Sequence, residues 1–85
     1  GMDTDEVERR IEAGIPDAEA NVSLPRVPDQ DHEDAHFAAV VVSPAFEGKS
    51  LVEQHRMVYD ALGDAMTDEI HALEMKTYTP EEREA

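Results

Sequence analysis

The chain has 85 residues, no cysteine and a formal net charge of −14 at pH 7. A chain of this length buries only roughly 60% of its unfolded surface, which supports one hydrophobic core and excludes a large multidomain enzyme. We therefore expect a single domain over residues 1–85, with Gly1 left over from tag cleavage. Without cysteine, the chain has no disulfide framework, no thiolate nucleophile and no thiolate metal site of its own.

The charge balance restricts the possible binding partners. Asp and Glu number 21 and are spread along the chain, whereas Lys and Arg number seven. Nucleic acids and anionic membranes are bound through basic residues, so this balance disfavours both. It is typical of a halophilic organism, whose salt-rich cytoplasm has a Debye length of about 3 Å at 1 M salt. The longest apolar run, Phe37–Val42, is far shorter than the ~20 residues that span a bilayer, and we expect a cytoplasmic protein without a membrane partner.

The first part of the chain predicts a helix followed by a short strand. Asp3 supplies a capping oxygen, apolar residues recur four apart, and Gly14 ends the helix, which we expect over residues 4–13. Residues 18–24 alternate weakly and predict a strand. Prolines and acidic residues make residues 25–35 a flexible loop.

A second strand is predicted at Phe37–Val42. Every residue of this run is apolar and several are β-branched, which is typical of a strand covered on both faces, and Ser43-Pro44 ends it. Because only a loop separates this strand from the first, the two strands should pair antiparallel.

A long helix follows, and it begins at a capping box formed by Ser50 and Glu53. Gly63 weakens its last turn, so we expect a break and a short second helix before Asp68. The residues that recur at helical spacing, and that we expect on the buried face, are Leu51, His55, Val58, Leu62 and Met66.

Ile70–Tyr78 alternates and predicts a third strand with one wet face. Thr79 and Pro80 then start a last helical turn as cap and first residue. One face of the strand carries His71, Leu73, Met75 and Thr77, and the wet face carries Ala72, Glu74 and Lys76.

These elements predict an α+β fold of order α-β-β-α-(α)-β-α. The helical crossover before the third strand allows that strand to pair parallel with the second. The result is a small three-stranded mixed sheet packed by helices.

Two motifs match known sites but lack their context. His32-Glu33-Asp34-Ala35-His36 fits H-E-x-x-H, yet it lies between a loop and a strand, whereas zinc proteases need a helix and a third ligand. Gly48-Lys49-Ser50 fits the end of a phosphate-binding loop, yet Ser43 replaces its first glycine and Pro44 removes an amide donor. We expect Gly48 to turn the chain and Ser50 to cap the helix.

The other histidines differ in their predicted roles. His55 lies on the apolar stripe of the long helix, where a histidine is usually a structural residue with one ring nitrogen bonded to backbone. Arg56, offset by about 100°, points to the helix flank and can pair with a carboxylate or a partner. His71 opens the third strand at a sheet end, where it can be a metal ligand, although a capping or core-edge role is the more frequent one.

Six segments together resemble the BolA family, over roughly Val7 to Glu82. The segments are His36-Phe37, Val40-Val41-Val42-Ser43, Phe46-Glu47-Gly48-Lys49-Ser50, His55-Arg56-Met57-Val58-Tyr59, Ile70-His71-Ala72-Leu73 and Lys76-Thr77-Tyr78-Thr79-Pro80. The resemblance implies an arrangement similar to the class II KH fold. The chain has no G-x-x-G, which argues against nucleic-acid binding through a KH-type loop.

The resemblance also implies a function without catalysis. BolA-like proteins pair with monothiol glutaredoxins and share a 2Fe-2S cluster with them, in iron-sulfur cluster delivery or iron regulation. By resemblance, His71 is a cluster ligand. The other ligand is His32, in the loop between the first two strands, with His36 as second choice. His55, Arg56 and Lys76 are expected to be structural residues or partner contacts.

The composition agrees with a shared cluster. Imidazole can replace thiolate on a cluster iron, and the missing thiolates would come from the glutaredoxin and a low-molecular-weight thiol. We expect no cluster in the isolated chain, which should be a monomer or a weak homodimer. The alternative implied by the resemblance is a DNA-binding transcriptional regulator that uses the KH-like fold.

Overall fold

The computed structural model describes residues 3–24, 36–68 and 72–84. Its strands form one sheet of order β1-β2-β3, in which β1 and β2 pair antiparallel and β2 and β3 pair parallel. This is the predicted α+β fold. The elements, in chain order, are α1 (Thr4–Gly14), β1 (Glu19–Ser23), β2 (His36–Val42), a 3-10 turn (Pro44–Phe46), α2 (Leu51–Leu62), α3 (Ala65–Asp68), β3 (Ala72–Tyr78) and α4 (Pro80–Glu84).

Helix α1 begins and ends as its sequence predicts. The Asp3 side chain accepts a 2.9 Å hydrogen bond from the Glu6 N–H, which satisfies one of the free donors of the first turn. Val7 and Ile11 are fully buried in the core. The helix ends at Gly14, whose hydrogen atoms face Ala61 of α2.

Helix α2 has the predicted capping box and a buried face that starts one turn later than predicted. Val58 and Leu62 are buried, and His55 and Met66 are half-buried, in agreement with the predicted stripe. Leu51 is 61% exposed, so its assignment to that stripe is wrong. Helical spacing sets the direction of the Leu51 side chain but does not decide whether another residue covers it. No residue of the first turn of α2 belongs to the described core.

The two long helices cover strand β2 on one face. Phe37, Ala39 and Val41 are buried with residues of α1 and α2, whereas Val40 and Val42 on the other face are half-buried. Among the described residues the two faces are therefore covered unequally, whereas the sequence predicted equal cover. Both long helices pack on the same side of the sheet, which is the usual arrangement of a helical layer in a small α+β domain.

Strand β3 and its end follow the prediction. Thr77 is buried, and the wet face is exposed at Glu74 and Lys76. At its end, the Glu82 N–H donates to the Thr79 hydroxyl at 3.2 Å and the Thr79 N–H donates to the Glu82 carboxylate at 2.8 Å. This capping box starts α4 as expected.

The outer edge of β1 is closed by side chains of α1. The Ala20 N–H donates to the Glu12 carboxylate at 3.0 Å, and the Val22 N–H donates to the Glu8 carboxylate at 2.8 Å. These carboxylates satisfy the donors that an edge strand otherwise presents to a further strand.

No helix in the described ranges combines the length and the apolar character needed to cross a membrane.

Candidate functional site

The two parallel strands bring one predicted site residue to a defined end of the sheet. His36 is the first residue of β2, is exposed, and is the register partner of Ala72, the first residue of β3. His71 directly precedes Ala72 in the sequence, and His32 lies four residues before His36; both fall outside the described residues. The predicted roles of His71, His32 and His36 thus stay predictions.

His55 lies towards the opposite end of the sheet. Its neighbour Gln54 is bonded to Thr77, whose register partner is Val41, near the end of β2. At roughly 3.3 Å per residue, Val41 is about 16 Å along the strand from His36. The bond between Gln54 and Thr77 places the first turns of α2 nearer to the end of β3 than to the end of the sheet that bears His36.

The structural role of His55 stays a prediction, and the structure describes the exposure of the residue and one of its ring nitrogens. The residue is half-buried, as predicted. Its Nε2 atom is buried and has no hydrogen-bond partner within the described ranges, so the structure does not supply the expected backbone partner for that nitrogen.

Arg56 lies on an exposed surface of α2 that periodicity did not reveal. Val52 and Tyr59 are 68% and 43% exposed, and the spacing of 52, 56 and 59 places all three on one side of the helix. We name this set the outer α2 surface (Val52, Arg56, Tyr59). The sequence does contain a signal for this surface, because Val52 and Tyr59 lie seven residues apart and neither belongs to the predicted buried stripe.

The positive charges near the start of α2 act on one carboxyl group. The Ser50 N–H donates to the Glu53 carboxylate at 2.9 Å, and this bond is the main reason that the pKa of Glu53 lies below its ordinary value. Lys49 and Arg56 lower this pKa further, by charge.

Lys76 lies on the open face of the sheet. It lines a shallow depression together with Glu74, Asn21 and Val40. A second depression on the same face, beneath α4, is lined by Arg83, Glu19 and Val42 among others. His36 and His55 line neither depression, but the first one reaches Ala38, which follows His36 on the same face of β2.

The two motif matches are excluded on geometry as well as sequence. His36 belongs to a strand, where the i, i+4 spacing of H-E-x-x-H cannot serve a helical zinc site. Ser43 is fully buried; its hydroxyl donates to the Pro16 carbonyl at 2.6 Å and accepts from the Ala45 N–H at 3.0 Å. Gly48 has a φ of 77°, and Ser50 caps α2, as predicted for a turn and a cap.

The described ranges contain no group of three or more His, Asp or Glu side chains that could hold a metal ion. With no cysteine anywhere in the chain, any thiolate ligand must come from another molecule.

Comparison with known proteins identifies the family and agrees with the fold described above. The family profile described as BolA-like protein matches residues 16–82. The chain belongs to the BolA family. A BolA homologue from Coxiella burnetii has the same fold, with a TM-score of 0.82 and 37% identity over 100% of both chains. The BolA domain of SufE1 from Arabidopsis thaliana gives a TM-score of 0.79 and 34% identity over 96% of both chains.

Two curated relatives match this chain over only part of their own length. The DNA-binding transcriptional regulator BolA of Escherichia coli is 39% identical over 51 residues, which cover 60% of this chain and 49% of that protein. SufE-like protein 1 of Arabidopsis thaliana is 46% identical over 52 residues, which cover 61% of this chain and only 14% of that protein. The chain thus spans less than half the length of these two relatives.

Proposed function

We propose that this BolA-family protein is an adaptor that pairs with a monothiol glutaredoxin and helps to hold a shared 2Fe-2S cluster. The cluster is cargo for delivery or an iron signal, and the protein has no catalytic role of its own.

One observation carries the proposal: the register that pairs His36 with Ala72. Because β2 and β3 run parallel, both begin at the same end of the sheet, where His36 is the first residue of β2 and Ala72 the first of β3. In the sequence His71 directly precedes Ala72, and the proposed ligands are His71 with His32, or with His36 as second choice. A strand start combines a fixed backbone with access to solvent, which is what a ligand offered to another protein requires.

The chemistry supports cargo that is held jointly and released. Imidazole ligation of a cluster iron is known from Rieske centres, where two histidines replace two cysteines. Protonation competes with iron for the imidazole, so mixed ligation should be more labile as pH falls than ligation by four thiolates. The thiolates in this proposal come from the glutaredoxin cysteine and a low-molecular-weight thiol.

The experiment is anaerobic reconstitution of this chain, the glutaredoxin and their mixture, with iron, sulfide and a low-molecular-weight thiol. The isolated chain should lose all cluster on desalting, and the mixture should give visible absorption and circular dichroism that differ from those of the glutaredoxin alone. A spectrum of the mixture equal to that of the glutaredoxin alone would contradict the proposal.

The names of two relatives favour a second candidate, a DNA-binding regulator. The Escherichia coli and Vibrio cholerae relatives, 39% and 43% identical, are both named DNA-binding transcriptional regulator BolA. The net charge of −14 argues against this function here, because duplex binding depends on contacts from Lys and Arg to phosphates. Affinity for duplex DNA that falls steeply as salt rises would support this second function.

A further inference from the structure

The two outer edges of the sheet differ in a way that points to self-association. Glu8 and Glu12 occupy the donors at the outer edge of β1. Strand β3 forms the other edge, and within the described ranges no backbone hydrogen bond joins Ala72–Thr77 to an element other than β2. One edge is therefore closed by carboxylates, whereas no other described element occupies the outward backbone donors and acceptors of the other edge.

The backbone groups that β3 presents can be identified. The Tyr78 carbonyl accepts from the Ser43 N–H at 3.0 Å, so the backbone groups of Tyr78 point towards β2. Because these groups alternate along a strand, those of Glu74 and Lys76 also point towards β2. The N–H and C=O groups of Leu73, Met75 and Thr77 point outward.

We propose that two copies of this chain associate through β3, antiparallel and centred on Met75, to form a continuous six-stranded sheet. In this register Met75 lies opposite Met75 of the second copy, and Leu73 lies opposite Thr77 of the second copy. Each of these pairs consists of residues with outward backbone groups, so each can exchange two hydrogen bonds.

Charge selects this register over its neighbours. Centred on Met75, the pairing places Glu74 opposite Lys76 of the second copy, and Lys76 opposite Glu74, as close non-hydrogen-bonded pairs on the exposed face. A shift of the centre to Glu74 or Lys76 would place like charges opposite each other. A centre between two residues would pair outward groups with inward ones and lose the hydrogen bonds.

The side chains on the other face also favour the pairing. Leu73 and Met75 are only half-buried and pack at the rim of the core, so a second copy would cover more of their apolar surface. Seven-residue strands make a small interface, and each copy carries a charge of −14. The dimer is therefore weak, and it strengthens when salt screens the repulsion between the copies.

The test is sedimentation equilibrium of charge variants in about 0.5 M potassium chloride, which screens the net repulsion. Glu74→Lys and Lys76→Glu should each weaken association by about tenfold, because each replaces two attractive pairs by two repulsive ones. The double variant Glu74→Lys/Lys76→Glu restores opposite charges and should regain wild-type association. Glu47→Lys and Lys49→Glu change exposed charges by the same amounts away from β3 and should leave association close to wild type.

Amide hydrogen exchange supplies a second readout on the wild-type protein. Raising the protein concentration should slow exchange at Leu73, Met75 and Thr77, whereas Glu74 and Lys76 stay unchanged because β2 already protects them. A chain that stays monomeric up to millimolar concentration, a double variant as weak as the single ones, or protection confined to the outer α2 surface would overturn the proposal.

Discussion

The hydroxyl of Thr77 donates a 2.5 Å hydrogen bond to the side-chain oxygen of Gln54, and this bond joins β3 to α2. The amide nitrogen of the same Gln54 side chain donates to the carbonyls of Lys49 at 2.9 Å and Phe46 at 3.3 Å. One side chain thus holds the helix, the turn before it and the end of β3.

Replacement of Gln54 by Leu should lower the free energy of unfolding by about 1 to 3 kcal/mol. The change leaves the buried Thr77 hydroxyl without its acceptor and removes the Gln54 donor from the Lys49 and Phe46 carbonyls, of which the Phe46 carbonyl keeps the Lys49 N–H. Chemical denaturation measures the effect, with Asp60→Ala as the control on an exposed site of the same helix. A loss no larger than that of the control would contradict the role of Gln54.

Replacement of Gly14 by Ala should destabilise the packing of α1 against α2. A Cβ at this position would lie 2.6 Å from the Ala61 Cβ and 2.9 Å from the Ala61 Cα, so the helices would have to separate, at a cost of about 1 to 3 kcal/mol. In a double-mutant cycle, Gly14→Ala with Ala61→Gly should be more stable than the sum of the single losses predicts. An additive cycle would show that this contact does not limit the packing.

The fold could be predicted from the sequence wherever its signals are local. Both halves of the Ser50–Glu53 capping box lie within one turn, and the alternation of β3 is visible in its own residues. The exposure of Leu51 could not be predicted, because periodicity gives the direction of a side chain and not the presence of a neighbour.

Features that join distant segments could not be predicted from the sequence. The bonds from the β1 backbone to Glu8 and Glu12 depend on how α1 lies over the strand. The site is an intermediate case: His36 and His71 could be named from their segments, but the pairing of His36 with Ala72 needs the parallel register.

The capping box of α2 should make stability depend on pH below the ordinary carboxyl range. The pKa of Glu53 is lowered by the Ser50 N–H, so the folded state favours the charged form. Its contribution is fully present above the ordinary value of 4.5 and is lost as pH falls through the lower folded value. NMR titration should find this pKa below 4.5, and the stability difference between wild type and Glu53→Gln should shrink as pH falls through that range. A difference that is constant with pH would contradict this linkage.

The acidic surface should make the fold more stable as salt rises. With 21 carboxylates against seven basic side chains, screening relieves repulsion in the compact state more than in the unfolded chain. The melting temperature in potassium chloride should therefore increase from tens of millimolar to molar salt. A flat or falling melting temperature would show that the surface is not adapted to high salt.

The measurement that tests the central claim most directly is visible circular dichroism of the cluster formed with a monothiol glutaredoxin, for wild type, His71→Ala and His55→Ala. His71→Ala should keep the fold and the glutaredoxin contact, verified by far-ultraviolet dichroism and co-elution, but change the cluster bands. His55→Ala should leave the bands unchanged and mainly lower stability, because the half-buried ring of His55 lies far from the sheet end that bears His36. Unchanged bands for His71→Ala, together with bands abolished in a stably folded His55→Ala, would show that the two roles are assigned the wrong way round.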